Sequence, residues 1–442
     1  SGTGYTLTAS ATSRTGATSS AFNITAGTAA KFVLTGSGTQ TAGTPQTITV
    51  SAQDTYGNTA TSFTGAQAIV FSGANSSSSP ATAPTVAGTA FGTSTSLTFT
   101  NGVATASMVL YAAESATIVA TQNSTTTSGG DRLSVTVSPA TANKLAFTVQ
   151  PSSATAGSAI SPDVTVTVLD QYGNTVTGAT DSITLAIGTN PGSGTLSGTS
   201  TQNASSGVAT FSGLSINKSG TGYTLTASAT SRTGATSSAF NITAGTATVG
   251  NTTVAASVSS VVANNTDTST ITVTAKDVNG NVVSGQAVYF SVSSGTATLS
   301  NGPWTTNGSG VATATVRSST VGGVTVTAYL NTSATGTPIT QTASVTFTVG
   351  SASTLAVNAG NAQTVQVANP VPTAPSVIVK DAYNHPVANE SVTFAITSGG
   401  GSFTGTATVL TDASGIATGP AWTLGTTAGA NTVTATSGTL TG

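Results

Sequence analysis

The chain has no cysteine, one histidine, one methionine and two tryptophans in 442 residues, and only 5% of its residues are charged. Without cysteine there are no disulfides and no thiolate sites, although this says little about the cellular compartment. The single histidine, His385, is too little for a catalytic triad or a zinc site. An ordinary globular domain is about 25% charged. Here Lys plus Arg is 9, Asp plus Glu is 11 and the net charge is −2, so no basic surface grips phosphates and no acidic tail exists. Nucleic acid is therefore excluded as a partner. The acidic residues are scattered, with no close pair of the kind glycoside hydrolysis uses. No apolar run approaches ~18 residues, so this portion holds no transmembrane segment. Solubility must come from Ser, Thr, Asn and Gly. Low charge also leaves little self-repulsion between neighbouring surfaces.

What is present is repetition. Residues 1–29 and 219–247 are the same 29 residues, SGTGYTLTASATSRTGATSSAFNITAGTA. A perfect internal copy points to recent duplication and to a role that tolerates changes of copy number. A looser repeat runs through the whole chain. A strand ends in a turn at ITVSAQDTYGN, VTVTVLDQYGN and ITVTAKDVNGN, with a fourth copy at PSVIVKDAYNHPV. The turn acids Asp54, Asp170, Asp277 and Asp381 are 116, 107 and 104 residues apart, the size of one small domain each.

Before each acid the hydrophobic period is two. Ile48, Val50 and Ala52 alternate with Thr47, Thr49 and Ser51, and the same holds for Val164, Val166 and Val168 and for Ile271, Val273 and Ala275. One face is buried and the other solvated, as in an antiparallel sheet. A second apolar strand follows each turn. Then come Gly-Val/Ile-Ala-Thr at Gly102, Gly207, Gly310 and Gly415, and a late strand such as VTVTAY or NTVTAT. Regularly spaced short strands with turn signals predict an all-β fold of tandem β-sandwiches.

This succession of strand, Asp-x-x-Gly-Asn, strand, Gly-Val-Ala-Thr and Val-Thr-Val-Thr-Ala resembles the bacterial Ig-like domain of the invasin/intimin type. Thr268–Leu330 carries the resemblance best; in the fourth copy Asn384-His385 replaces Gly-Asn. The resemblance implies Ig-like sandwiches strung in an elongated array on a bacterial surface, extracellular and without catalysis. The expected divisions are 1–29, the last strands of a truncated domain; 30–140, 141–247 and 248–350, each an Ig-like domain; and 351–442, an Ig-like domain lacking its last strand. Both ends falling inside domains suggests a window cut from a longer array. The linkers lack charge and long Gly runs, which predicts semi-rigid joints.

The turn residues Asp54, Gly57, Asn58, Asp170, Gly173, Asn174, Asp277, Gly280, Asn281 and Asp381 are read as structural. An Asp there binds its own turn backbone. No cofactor is expected. Calcium, for which the four acids are weak candidates, would need Asp163, Asp181, Asp267 or Asp412 to converge on a joint. Lys31 and Lys144 open first strands, and a solvated edge position is favoured over an amide crosslink to residues such as Asn23. Asn-x-Ser/Thr at Asn23, Asn123, Asn241 and Asn331 permits glycosylation without demanding it. Trp304 and Trp422 are more readily packing residues than sugar platforms.

The expected function is structural: a non-catalytic segment of a bacterial cell-surface protein forming a surface layer, extracellular filament or stalk, with self-association into a layer or filament. One alternative is an adhesin that binds host, glycan or neighbouring-cell ligands, with the insert at Gly73–Ser96 as its best candidate. The other is a set of spacer modules in a larger secreted enzyme.

Overall fold

The computed structural model describes all 442 residues. The protein is all-β; a single 3-10 turn at Gly129–Asp131 is the one helical element. No helix is long and apolar enough to cross a membrane. The chain folds as two compact units, Ser1–Thr243 and Ala244–Gly442.

The first unit holds two sandwiches and a short leading segment. Within 30–140, one sheet runs in the order Thr89–Ala90, Thr85–Val86, Val103–Val109, Gln46–Gln53, Lys31–Thr35. The other runs Ser94–Phe99, Gly65–Ser72, Ser115–Gln122, Leu133–Ser138, Thr39–Thr41. Val50 lies opposite Ala104 on one side and Leu34 on the other. The period of two thus places Ile48, Val50 and Ala52 in the core, all fully buried. They meet Phe71, Ile118 and Val135 of the facing sheet. Each such Val, Ile or Phe contributes about 1.5–3 kcal/mol by burial. A second cluster, around Val164, Val166, Phe211, Tyr223 and Ile242, repeats the arrangement.

The second unit holds a third cluster around Ile271, Val273, Phe290, Val326 and Phe347. Its first segment is shared between sheets. Thr253–Ala256 pairs with Ser269–Thr274, and Ser260–Val262 then crosses to pair in parallel with Ala343–Thr348. The same parallel closure joins Thr39–Thr41 to Leu133–Ser138 and Ala154–Thr155 to Phe240–Thr243. It ties the start of each of these three sandwiches to its end. The fourth cluster is the smallest, centred on Val377, Val379, Phe394 and Ala435. There Leu440–Thr441 folds back on Thr432–Ser437, and a groove of about 770 Å³ opens beside Phe394, Trp422 and Val433.

The duplicated segment has two environments. Phe240 and Ile242 are 4% and 2% exposed, whereas their copies Phe22 and Ile24 are 41% and 48% exposed. In the leading segment Gly2–Tyr5 pairs only with Phe22–Ile24. Identical strands are buried only where a facing sheet covers them.

The Gly-Val/Ile-Ala-Thr glycines have a double constraint. Gly207 has φ +79°, and a Cβ on it would stand 2.5 Å from the Val176 carbonyl oxygen; Gly415 has φ +72° and the same 2.5 Å approach to Val379 O. The close approach lets the glycine carbonyl accept from Val168 N–H, and from Val379 N–H in the last repeat. A left-handed φ and no room for Cβ both call for glycine.

Candidate functional site

The four turn acids are among the few charged groups buried in this protein, at 3%, 0%, 0% and 2% exposure for Asp54, Asp170, Asp277 and Asp381. A buried carboxylate is costly unless its lone pairs are met by donors. Each of these is met by four. In the second copy Oδ1 of Asp170 accepts the N–H groups of Tyr172 and Asn174, both at 2.9 Å. Oδ2 accepts Asn174 Nδ2 at 2.8 Å and the backbone N–H of Ala140 at 2.9 Å. The turn closes through Asp170 N–H to Asn174 O, and Gly173 adopts φ +87°.

The donor at Ala140 belongs to the linker that precedes the sandwich. The same bond recurs from Gly27 to Asp54, from Gly245 to Asp277 and from Gly350 to Asp381, each at 2.9 Å. Each acid therefore holds a turn with one oxygen and clasps a linker with the other. The residues named from sequence, Asp54 with Gly57 and Asn58, Asp170 with Gly173 and Asn174, and Asp277 with Gly280 and Asn281, all meet in this way. In the fourth copy Asn384 takes the left-handed conformation at φ 69°, and His385 replaces the amide. The linker N–H was not foreseen, because a backbone donor about 30 residues upstream has no side-chain signature. A small residue at the spot, Gly27, Ala140, Gly245 or Gly350, is the only hint.

In Asp54, Asp277 and Asp381 these donors favour the charged form. For Asp54 the Gly27 N–H is the chief cause, and its pKa falls to about 2. For Asp381, burial opposes ionisation, but Gly350 N–H, the His385 ring and two turn N–H groups outweigh it, giving about 2. Asp277 is lowered too, with burial again opposed by Asn281 and Gly245.

The turns also touch the preceding sandwich. Asn174 Nδ2 donates to Tyr111 O at 2.8 Å while Asn174 Oδ1 accepts Ala113 N–H at 2.8 Å. The Tyr172 ring meets Tyr111 edge to face, with centroids 5.1 Å apart. In the second unit His385 Nε2 lies 2.9 Å from Ser319 O.

The other named residues are placed as follows. Of the second acids, Asp181 pairs with Arg232 at 2.8 Å, and Asp412 caps its own turn through Ser414 and Ile416 N–H. No group of three or more His, Cys, Asp or Glu gathers anywhere. Lys31 opens an edge strand, as expected, but is only partly solvated. Its Nζ is 3.1 Å from Asp131 Oδ2, with both side chains partly covered. Lys144 Nζ instead donates to Ser79 O at 2.6 Å, across the joint. Asn23 Oδ1 accepts Gly4 N–H. Trp304 packs edge-on against Tyr289 and Phe290, and Trp422 is 7% exposed. The insert at Gly73–Ser96 is partly a joint element: Ser79 N–H donates to Tyr172 O and Ser78 Oγ to Gly173 O.

The family model of the bacterial Ig-like domain (group 1) matches residues 251–348. Those residues are similar to a bacterial Ig-like domain. Among relatives, the inverse autotransporter adhesin YeeJ of Escherichia coli (strain K12) is 38% identical over 165 residues, which is 37% of this chain and 7% of YeeJ. The chain thus spans a small part of that relative. Among solved structures, the Escherichia coli adhesin FdeC aligns over 74% of this chain and 100% of its own at 23% identity, with a TM-score of 0.39. Invasin, a bacterial integrin-binding protein, aligns over 92% and 76% at 18% identity, with a TM-score of 0.38. The matched segment at 251–348 carries the Asp277 turn, with the N–H groups of Asn279 and Asn281 on its carboxylate, and the linker donor Gly245 lies just before it.

Proposed function

We propose that the chain is a non-catalytic segment of a bacterial surface adhesin, exposed outside the cell, whose tandem Ig-like domains position a binding region at a distance. The observation that carries this reading is the clasp repeated four times. The buried turn carboxylates are spent on fixing turns to linkers, which is the chemistry of a chain that must keep its domains in register under tension. The kinship with YeeJ supports the adhesin setting. A surface layer or filament rests on low charge alone and is the weaker reading. Ligand binding belongs to the same proposal: a cell-surface or glycan ligand is contacted by the adhesin of which these domains are the stem, whereas self-association goes with the weaker reading.

The test is made on cells that carry the full-length protein. Antibody raised against the chain should label intact cells. Replacing residues 30–350 by an equal number of unrelated Ig-like domains should preserve adhesion, whereas deleting them should reduce it. Labelling only after lysis sinks the surface assignment. Loss of adhesion in the replacement, with surface display intact, would mean that these domains bind the ligand themselves.

A further inference from the structure

His385 stands where the other three repeats have Asn58, Asn174 and Asn281, and it makes the two contacts of Asn174 with a different chemistry. Asn174 Nδ2 carries two hydrogens, so one atom donates both to Asp170 Oδ2 and to Tyr111 O of the preceding sandwich. His385 divides this task between its ring nitrogens. Nδ1 is 3.0 Å from Asp381 Oδ2 and Nε2 is 2.9 Å from Ser319 O. Both partners are acceptors: an ionised carboxylate and a backbone carbonyl have no proton to give. A neutral imidazole has one N–H and can satisfy only one of them. Both contacts are made together only by the imidazolium.

We propose that His385 is a protonation-dependent latch on the joint between the sandwiches at 248–350 and 351–442. When protonated, the ring bridges the Asp381 turn to the loop after Val311–Arg317. When neutral, it keeps its N–H on the carboxylate and turns a lone pair toward Ser319 O, so the bond across the joint is lost. The loop is in no position to adapt, because buried Ser318 fixes it through Thr296 O, Thr320 O and Thr320 N–H.

The groups that face the ring are few. Its own turn supplies Asp381, the linker supplies only Gly350 N–H to the same carboxylate oxygen, and the loop supplies the Ser319 carbonyl. Asp381 is the one charged group that acts on it. The hydrogen bond to Asp381 is the largest influence, the Ser319 carbonyl adds to it, and together they raise the His385 pKa despite burial. A raised pKa in the folded state means that the linked stabilisation is complete below the free imidazole value of about 6.5. It is lost as pH rises through the raised value.

The chain makes the experiment clean. It has one histidine, so a single imidazole signal titrates in the spectrum of the whole protein labelled with 13C-histidine. It has no cysteine, so spin labels at Ala334→Cys and Thr406→Cys, both exposed sites, report only the distance across this joint. The expected midpoint lies above about 6.5, and the distance distribution is narrow below it and broader above it. His385→Asn restores the amide of the other repeats and should give a narrow distribution at both pH values. A midpoint at or below about 6.5 overturns the proposal. So does a distribution unchanged across the midpoint, or one that still responds to pH in His385→Asn.

Discussion

The backbone N–H of Ala140 donates to Oδ2 of Asp170 across a gap of 30 residues, and the carboxylate that receives it is fully buried. Removing the acid therefore strands four donors at once, two of them in the turn, one on Asn174 and one on the linker. Hydrogen bonds to a charged group are each worth about 1.5–3 kcal/mol, and buried orphans add their desolvation. Asp170→Ala should destabilise the sandwich at 141–243 by roughly 3 kcal/mol or more. Asp170→Asn keeps an acceptor for the turn but sets an NH2 against the Ala140 donor. It should cost less in melting while increasing proteolysis at residues 138–143.

Acid sensitivity has a defined window. The Asp54 and Asp381 carboxyls are held at about 2, below the ordinary value of 3.8. A depressed folded pKa gives stabilisation that is fully present above the unfolded value and is lost as pH falls through the folded one. Melting temperature should be flat above about pH 4.5 in this respect and fall between about 4 and 2. Scanning calorimetry from pH 5 to pH 2 checks this; a steep loss already at pH 5 would place the weak point in other groups.

Glycine substitutions separate strain from space. Gly207 and Gly213 both have left-handed φ, +79° and +68°, but a Cβ meets the Val176 carbonyl at 2.5 Å in the first and nothing within 4 Å in the second. Gly213→Ala should cost about 1 kcal/mol, the conformational part alone. Gly207→Ala should cost roughly 3 kcal/mol, because the overlap adds to it. Equal losses in urea titration would remove the packing argument.

Much of this architecture was legible from the alternation of apolar and polar residues. Ile48, Val50 and Ala52, or Ile271, Val273 and Ala275, are buried because the strand period admits only one such face. The turn acids were visible because Asp has a local preference with a mechanism. Their second role was hidden because its partner is a backbone N–H on a distant linker. His385 is a related case. Its position in register with Asn58, Asn174 and Asn281 was on view, but the meaning of the exchange depends on Ser319 O, which only the fold brings near.

Calcium should leave the protein unmoved. The lone pairs of Asp54, Asp170, Asp277 and Asp381 are engaged by N–H donors, whereas calcium takes six to eight oxygens. Melting in excess calcium and in chelator should agree within about a degree, since a ligand that does not bind the folded state shifts nothing. A rise of several degrees with calcium would show that oxygens gather in a state other than this one.

The duplicated segment offers the sharpest contrast between sequence and environment. Phe22 and Phe240 have identical neighbours over 29 residues, yet one is 41% exposed and the other 4%. Phe240 packs on Tyr223 in the core with Ile242 and Leu225, and truncating a buried phenylalanine typically costs about 3–5 kcal/mol. Phe22 meets Tyr5 at 6.2 Å with no sheet across from it. In a polypeptide of these 442 residues alone its loss belongs with surface substitutions, within about 0.5 kcal/mol. Phe240→Ala should therefore lower the unfolding midpoint of the sandwich at 141–243, and Phe22→Ala should leave every transition in place. Urea unfolding of the two variants side by side decides it. If Phe22→Ala proves as damaging as Phe240→Ala, the leading strands are covered in solution, and analytical ultracentrifugation of the unsubstituted chain would show whether a second copy supplies the cover.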